Sequence, residues 1–286
     1  MKKLDFPLHD DDQALLRLEN NPRLSSHPLL ARNRHVIERR YDEYRAARGD
    51  AWEVGDPVKL PAKLANAMRA HYESEPEGLE FIKWIRDEGS RDVCPMCGSL
   101  GARTADHIFP KEKFPEFAIF SQNLVPACSD CNTRRGQNYR GDIRDARVLH
   151  PYFDDILTQR IAWLRFTGDF EHPLLTIATA DTGNPKSNAA IKYHVDNVLE
   201  KSGLIGFATK RWPKICRYPE DVIKNVPQIG LDDKSLAQAI AKTVESEDRQ
   251  YDTPNNWFSM ILWGMLMSEG VVGFMRQRII ASRRDE

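Results

Sequence analysis

The sequence has almost no net charge and no long apolar run, and each absence excludes a class of protein. Its 286 residues carry 41 Lys and Arg against 42 Asp and Glu, so the protein is not a polycation that would coat nucleic acid. The longest apolar stretch, Trp257–Met267, is too short to span a bilayer, and Met1–Asp5 lacks the apolar run of a signal peptide. We therefore expect a cytoplasmic protein with no membrane segment, and any contact with nucleic acid would be local or assisted by a partner.

Cysteine is also scarce, and its spacing is more informative than its number. In a reducing compartment the five cysteines would rarely form disulfides. Four of them form two Cys-x-x-Cys pairs, which leaves Cys216 unpaired. Two such knuckles supply four thiolates, the ligand set of a closed tetrahedral zinc site with no open position for chemistry. The sequence therefore predicts a structural zinc ion, and its ligands are Cys94, Cys97, Cys128 and Cys131.

Apolar residues recur at helical spacing over the first ninety residues. One stripe runs from Leu29 to Tyr44, and two more run from Leu60 to Tyr72 and from Leu79 to Ile85. The first stripe follows Ser26–Pro28 and ends before Gly49, as helix boundaries commonly do. These stripes predict the core faces of an N-terminal helical region over residues 1–89.

The last part of the chain, residues 151–286, is predicted to be a second, mainly helical region. Pro173–Ala178 reads as a strand, and Asn184–Pro185 introduces a helix. Further helices are predicted at about 234–246 and 254–280. The last one begins at Thr253–Pro254 and is apolar on nearly every side, which predicts a buried helix.

Between these regions the helical periodicity disappears, and Cys, Gly, Pro, Asp and Asn concentrate over residues 91–141. Such a composition is typical of a segment held together by metal rather than by an apolar core. Three polar features accompany the cysteines: Asp106–Pro110, Asn123–Pro126, and Asn132 directly after the last cysteine. A zinc ribbon alone does not need these residues.

In this order the motifs resemble the HNH, or ββα-metal, nucleases of the subgroup with Cys-x-x-Cys, Asp-His, Asn and Cys-x-x-Cys-Asn. The resemblance covers some forty to fifty residues. It implies that a two-stranded hairpin delivers Asp106 and His107 and that a following helix delivers Asn132. His107 would be the general base, Asp106 and Asn132 the ligands of a catalytic metal, and Asn123 the residue that steadies the loop beside the base. Two departures are Asn132, where many members have His, and Arg135, where the subgroup often has Lys.

The implied roles suit phosphodiester hydrolysis. The reaction must deprotonate a water, stabilise a charged phosphorane-like state and release an alkoxide, which one His and one cation can accomplish together. A neutral His107 can accept the proton if its other ring nitrogen is held by a hydrogen bond, for which a backbone carbonyl would serve. Because Asp106 and Asn132 offer only oxygen, they favour Mg²⁺ or Mn²⁺ over Zn²⁺ or Ni²⁺.

Four cations flank these motifs and are candidates for binding nucleic-acid phosphates. They are Lys111, Lys113, Arg134 and Arg135. Each site residue also has a structural interpretation. The cations also suit a solvated face, and His107 also suits a structural role. Asn132 also suits a helix N-cap, and Asn123 also suits a turn. His150, beside Pro151 and two aromatic residues, suits a packed junction better than an extra ligand.

We therefore predict an α+β, predominantly α-helical protein in which an HNH module at residues 90–150 is embedded between helical regions. The residues around the motifs resemble those of HNH proteins from bacterial anti-phage systems such as Septu and certain retrons. In such systems a partner ATPase restrains the nuclease. A lone housekeeping or mobile-element nuclease is the rival within the same class. The alternatives from other classes are a zinc-stapled nucleic-acid-binding or protein-docking module without catalysis, and an RNA-cleaving nuclease.

Overall fold

The computed structural model describes residues 1–87 and 91–284, and its N-terminal part is helical, as the apolar periodicity predicts. The predicted stripes are largely buried, with Tyr44, Leu64 and Ile82 all at 0% exposure. The predicted boundary between residues 89 and 90 lies outside the described residues. The helices of this part are α1 (Asp11–Glu19), α2 (Leu29–Ala46), α3 (Ala62–Ser74) and α4 (Glu80–Asp87).

The middle of the chain forms two antiparallel hairpins and a short helix. Their bounds are β1 (Arg91–Val93), β2 (Leu100–Ala102), β3 (Thr104–His107), β4 (Leu124–Ala127) and α5 (Ser129–Arg134). In the second hairpin Asp106 lies opposite Val125 and His107 opposite Leu124. The strands β3 and β4 followed by α5 are the ββα unit that the motifs imply.

The C-terminal part begins with a third hairpin and continues as helices. The bounds are β5 (Ala162–Thr167), β6 (Leu174–Thr179), α6 (Pro185–His194), α7 (Leu204–Arg217), α8 (Pro219–Val222), α9 (Asp233–Tyr251), α10 (Trp257–Met267) and α11 (Val271–Ser282). The predicted strand and the helix capped by Asn184 are thus confirmed. Helix α10 packs directly on β5, where a Cβ at Gly264 would lie 2.1 Å from the Leu164 carbonyl oxygen. Only glycine fits this close approach.

The single helix predicted over residues 254–280 is wrong, because the structure has two helices there. Asn256, not Thr253, caps the first by accepting a hydrogen bond from the Ser259 amide. The chain then turns at Gly270, whose φ of 83° favours glycine, and the two helix axes differ by 103°. By length and composition no helix in the described residues crosses a membrane alone, and only this bent pair passes such a test.

The C-terminal helices hold the first cysteine knuckle. The indole Nε1 of Trp257 donates to the Cys97 carbonyl at 2.8 Å, and its backbone amide donates to the Gly98 carbonyl at 3.1 Å. The His194 ring donates from Nε2 to the Met96 carbonyl at 2.7 Å. The predicted class is confirmed, since 51% of the residues are helical and each sheet has two strands. The predicted boundary at residue 150 stays a prediction.

Candidate active site and zinc cluster

The four thiols of the two Cys-x-x-Cys pairs converge. The Sγ atoms of Cys94, Cys97, Cys128 and Cys131 all lie within 4.8 Å of one another, and those of Cys97 and Cys128 are 3.7 Å apart. Zinc–sulfur bonds of about 2.3 Å in a tetrahedron separate the sulfurs by about 3.8 Å. The predicted clustering is confirmed, and the donor set fits one structural zinc ion.

Backbone amides and neighbouring thiols stabilise negative charge on this cluster. The Cys131 amide donates to the Cys128 sulfur at 3.5 Å, and the Cys128 amide donates to the Cys94 sulfur at 3.3 Å. Hydrogen bonds from the other thiols, that of Cys131 first, hold the pKa of Cys128 below its ordinary value. Burial and the hydrogen bonds from neighbouring thiols raise the pKa of Cys94 and Cys131, so a zinc ion that binds all four sulfurs must displace protons from these two.

The candidate base, His107, ends strand β3 and is 7% exposed. Its Nε2 lies 2.9 Å from the carbonyl oxygen of Ala118. Because a carbonyl can only accept, the hydrogen of the neutral ring is on Nε2, and Nδ1 is an acceptor. The ring of Tyr72 packs edge-on against the imidazole at 4.4 Å between centroids. The ring orientation that a general base requires is therefore fixed from two sides.

Burial decides the protonation state of this histidine. Desolvation of the charged ring lowers the pKa of His107 to about 3, and the nearby cations of Lys111 and Arg135 lower it further. The hydrogen bond to Ala118 opposes this shift. The imidazole is consequently neutral at neutral pH, the form that accepts a proton, while the same shift reduces its strength as a base.

Asn123 is fully buried and connects the two segments that position His107. Its Oδ1 accepts the Phe109 amide hydrogen at 2.8 Å, and its Nδ2 donates to the Phe109 carbonyl at 3.0 Å. The same Nδ2 donates to the Phe117 carbonyl at 3.1 Å, next to Ala118. Asn123 thus joins the chain just after the base to the chain that holds its ring.

Two residues outside the central motifs continue this network. The Tyr44 hydroxyl, on α2, lies 3.2 Å from Asn123 Oδ1 and 2.8 Å from His150 Nε2. His150 is fully buried and packs edge-on against Phe153 at 4.8 Å, a packed junction as its aromatic neighbours predict. Sequence reasoning identified Tyr44 only as a core residue, because nothing in its local spacing reveals a contact 79 positions away.

Asp106 and Arg135 form a buried ion pair. The guanidinium donates from Nη2 to Oδ1 at 2.6 Å and from Nε to Oδ2 at 3.0 Å. It also donates to the backbone carbonyls of His107, Ile108 and Asn138. Arg135 was expected to contact phosphate, but it is 2% exposed and its donors face the protein. In this structure Arg135 forms an ion pair with Asp106 and does not present its charge to solvent.

The candidate ligands of a catalytic ion fit Mg²⁺ or Mn²⁺ in donor type. Asp106 offers carboxylate oxygens and Asn132 an amide oxygen, and α5, which carries Asn132, packs on β3. A carboxylate has about four lone-pair positions, so the two bonds from Arg135 leave Asp106 with acceptor capacity. Asn132 is exposed and lies inside α5. The N-cap of that helix is Cys128, so the structural interpretation of Asn132 as a cap is wrong.

The three other flanking cations lie at or near the surface, and each has an acidic or polar neighbour. Lys111 pairs with Glu73, Lys113 donates to the Tyr139 hydroxyl at 2.7 Å, and Arg134 pairs with Asp130 at 3.1 Å. The acidic neighbours are themselves exposed, so a phosphate can exchange with them at low cost.

Comparison with known proteins agrees with this geometry. The HNH endonuclease family matches residues 94–138, the segment from the first zinc cysteine to just beyond α5. Protein ea31 of Escherichia phage lambda is 38% identical over 109 residues, which are 37% of this chain and 35% of that protein. The chain therefore aligns with only about a third of this relative's length. No solved structure matches the chain.

The family match and the coordinates coincide at the same residues. The matched segment contains both cysteine knuckles, the hairpin that carries Asp106 and His107, and helix α5. The four thiols of that segment form one cluster. Residues 94–138 of this chain are an HNH endonuclease module with the four-cysteine cluster of the zinc-stapled subgroup.

Proposed function

We propose that this protein hydrolyses DNA phosphodiester bonds, with His107 as the general base and one divalent ion at Asp106 and Asn132. The observation that carries the proposal is the hydrogen bond from His107 Nε2 to the Ala118 carbonyl. It fixes the tautomer whose Nδ1 accepts a proton, and it does so beside a buried carboxylate on a ββα frame.

In this mechanism His107 accepts a proton at Nδ1 from the water that attacks phosphorus, while Ala118 keeps the ring in place. Asp106 and Asn132 would hold the ion, whose positive charge, when bound, stabilises the phosphate and the departing O3′. A new oxygen–phosphorus bond forms as the phosphorus–O3′ bond breaks. The departing O3′ takes a proton from solvent water, so the products carry 5′-phosphate and 3′-hydroxyl ends.

The substrate proposal rests on charge at the surface. Lys111, Lys113 and Arg134 supply local cations on a protein with a net charge of −1. Phosphate contacts of this kind bind without regard to sequence and weaken as salt increases. We therefore propose DNA binding that is local to this face and sensitive to salt.

One observation favours the second candidate, a zinc-stapled binding module without catalysis. Arg135 engages both carboxylate oxygens of Asp106, so the candidate metal ligand already has a cationic partner. An RNA-cleaving nuclease is the other alternative, because the proposed base and ligands do not depend on the sugar. Anti-phage defence and restraint by a partner ATPase stay predictions of the sequence resemblance.

Purified protein incubated with plasmid DNA, and with DNA and RNA strands of one sequence, tests the proposal. We expect cleavage of DNA in Mg²⁺ or Mn²⁺, its loss in EDTA, and its return on adding Mg²⁺ before zinc is stripped. Binding without cleavage would support the binding module, and cleavage of RNA alone would support the ribonuclease. Full activity in Zn²⁺ without Mg²⁺ or Mn²⁺ would contradict the proposed ligands.

A further inference from the structure

We infer that Tyr44 and His150, both outside the matched HNH segment, are positioning residues for the proposed base. They hold Asn123, and Asn123 holds the two chain segments that fix the ring of His107. This inference rests on the proposed function, because it assigns their purpose to His107. Through Tyr44 on α2, the N-terminal helical region would help to position the site.

The hydrogen bonds of this network have a defined direction. The Tyr152 amide donates to His150 Nδ1 at 3.2 Å, so the hydrogen of the neutral ring is on Nε2. Nε2 therefore cannot accept from Tyr44, and the Tyr44 hydroxyl hydrogen is directed to Asn123 Oδ1. The Gln122 backbone is a second hydrogen-bond partner of the His150 ring. Burial lowers the pKa of His150 to about 3, which keeps this neutral tautomer at working pH.

The network also uses the full bonding capacity of the Asn123 amide. Its Oδ1 accepts two hydrogen bonds, from the Tyr44 hydroxyl and the Phe109 amide. Its Nδ2 donates two, to the carbonyls of Phe109 and Phe117. A primary amide has two donor hydrogens and two acceptor lone pairs, so every position is occupied and one orientation is selected. Among the described residues, the Tyr44 hydroxyl is the only side chain from outside residues 94–138 that forms a hydrogen bond with this amide.

The rival explanation is that Tyr44 serves only as a packing residue. Its ring does contact Phe109, Phe117 and Phe120, with centroids 5.0 to 5.2 Å away. The hydroxyl can be separated from the ring, because phenylalanine keeps the packing and removes only the hydrogen bonds. Tyr44→Phe therefore separates the role of the hydroxyl from that of the ring.

The chain provides a matched control on the same helix. Tyr41 is 1% exposed and stacks on Phe120 at 4.1 Å, much as Tyr44 packs on its neighbours. Its hydroxyl is buried with no hydrogen-bond partner among the described residues. Tyr41→Phe therefore repeats the chemical change of Tyr44→Phe, in the same aromatic cluster, without touching the Asn123 network.

The test compares these two variants by NMR and by kinetics. In Tyr44→Phe we expect shifted ring resonances of His107 and faster hydrogen exchange at the Phe109 amide. We also expect kcat to fall roughly three- to tenfold, the equivalent of one lost hydrogen bond, with KM within about twofold. Tyr41→Phe should match wild type in all of these. Zinc content and melting temperature establish that both variants are folded.

A second pair of variants tests His150. Glutamine can place a donor near the former Nε2, so His150→Gln should retain most of the His107 signature. His150→Leu removes the donor and should reproduce the Tyr44→Phe changes. Equal effects of Gln and Leu on the His107 resonances would contradict the directed network, because a packing role does not distinguish a donor from an alkyl group.

The outcomes separate this inference from the proposed function. If wild type cleaves no nucleic acid, the nuclease proposal fails, and the positioning of His107 is decided by the NMR comparison alone. If Tyr44→Phe and Tyr41→Phe give the same His107 resonances and the same Phe109 exchange, the inference is overturned whether or not the protein is a nuclease.

Discussion

Arg135 and Asp106 are joined by two hydrogen bonds across the interior of the HNH module, at 2.6 and 3.0 Å, and both side chains are at most 5% exposed. Desolvation raises the pKa of Asp106, and the guanidinium opposes that shift. The guanidinium therefore favours the charged carboxylate, which burial disfavours, and the pKa of Asp106 remains raised overall. A charged Asp106 is what a divalent ion requires.

Removal of Arg135 should lower the free energy of unfolding far more than removal of its neighbour Arg134. Arg135→Ala leaves a buried carboxylate without a partner, and we expect the free energy of unfolding to fall by about 3 to 5 kcal/mol. Arg134→Ala, one position earlier and exposed, should cost less than about 1 kcal/mol. Urea unfolding of the two variants makes the comparison, and equal losses would mean that Asp106 does not depend on Arg135.

The zinc cluster should be necessary for the order of the module. Cys128→Ser removes a zinc ligand while serine can still cap α5, so we expect loss of zinc and rapid proteolysis between residues 91 and 134. Wild type should carry about one zinc per chain. Cys216→Ser lies outside the cluster and is the control. A wild-type preparation without zinc, with all thiols titratable in the folded state, would contradict the assignment.

Buried histidines should make the folded state sensitive to acid. Burial lowers the pKa of His107 and His150 to about 3 and that of His194 to about 4. These values lie below the unfolded pKa of about 6.5. At pH values between the folded and unfolded pKa, the unfolded state therefore binds more protons than the folded state. Their contribution to stability is complete above about pH 6.5 and is lost as pH falls to about 4 for His194 and to about 3 for His107 and His150.

A variant isolates one of these groups. His150→Gln should reduce the loss of unfolding free energy between pH 7.5 and pH 5 by about 2 kcal/mol, because one buried imidazole no longer resists protonation. His35→Gln, at an exposed position of α2, should leave the pH dependence as it is in wild type. If both variants retain the wild-type pH dependence, His150 is not the acid-sensitive group that its burial implies.

The parts of the site that lie close in sequence were predictable. Two Cys-x-x-Cys pairs sufficed for the cluster, and the Asp-His motif was found on the predicted hairpin. The fold class followed from apolar periodicity, which is a local property. Helix α10 shows the limit of such patterns, since apolar residues resume at Val271 after a turn that Gly270 permits, and the two helices resemble one.

The contacts that complete the site join distant residues and have no local signature. Tyr44 meets Asn123 across 79 positions and His150 across 106. The sequence predicts a surface position for Arg135. The adjacent cations Arg134 and Arg135 have the same local pattern, which does not reveal which of them points into the protein. Arg135 is buried because α5 packs against the hairpin that carries Asp106.

The most direct test of the account is single-turnover cleavage of plasmid DNA by His107→Ala across a Mg²⁺ titration. Loss of the proton acceptor should slow cleavage about a hundredfold or more at every Mg²⁺ concentration, with zinc content and DNA affinity retained. Asp106→Ala should instead recover part of its activity at high Mg²⁺, because it weakens ion binding. Cleavage by His107→Ala at the wild-type rate would contradict the account, because the proposed reaction would then proceed without its general base.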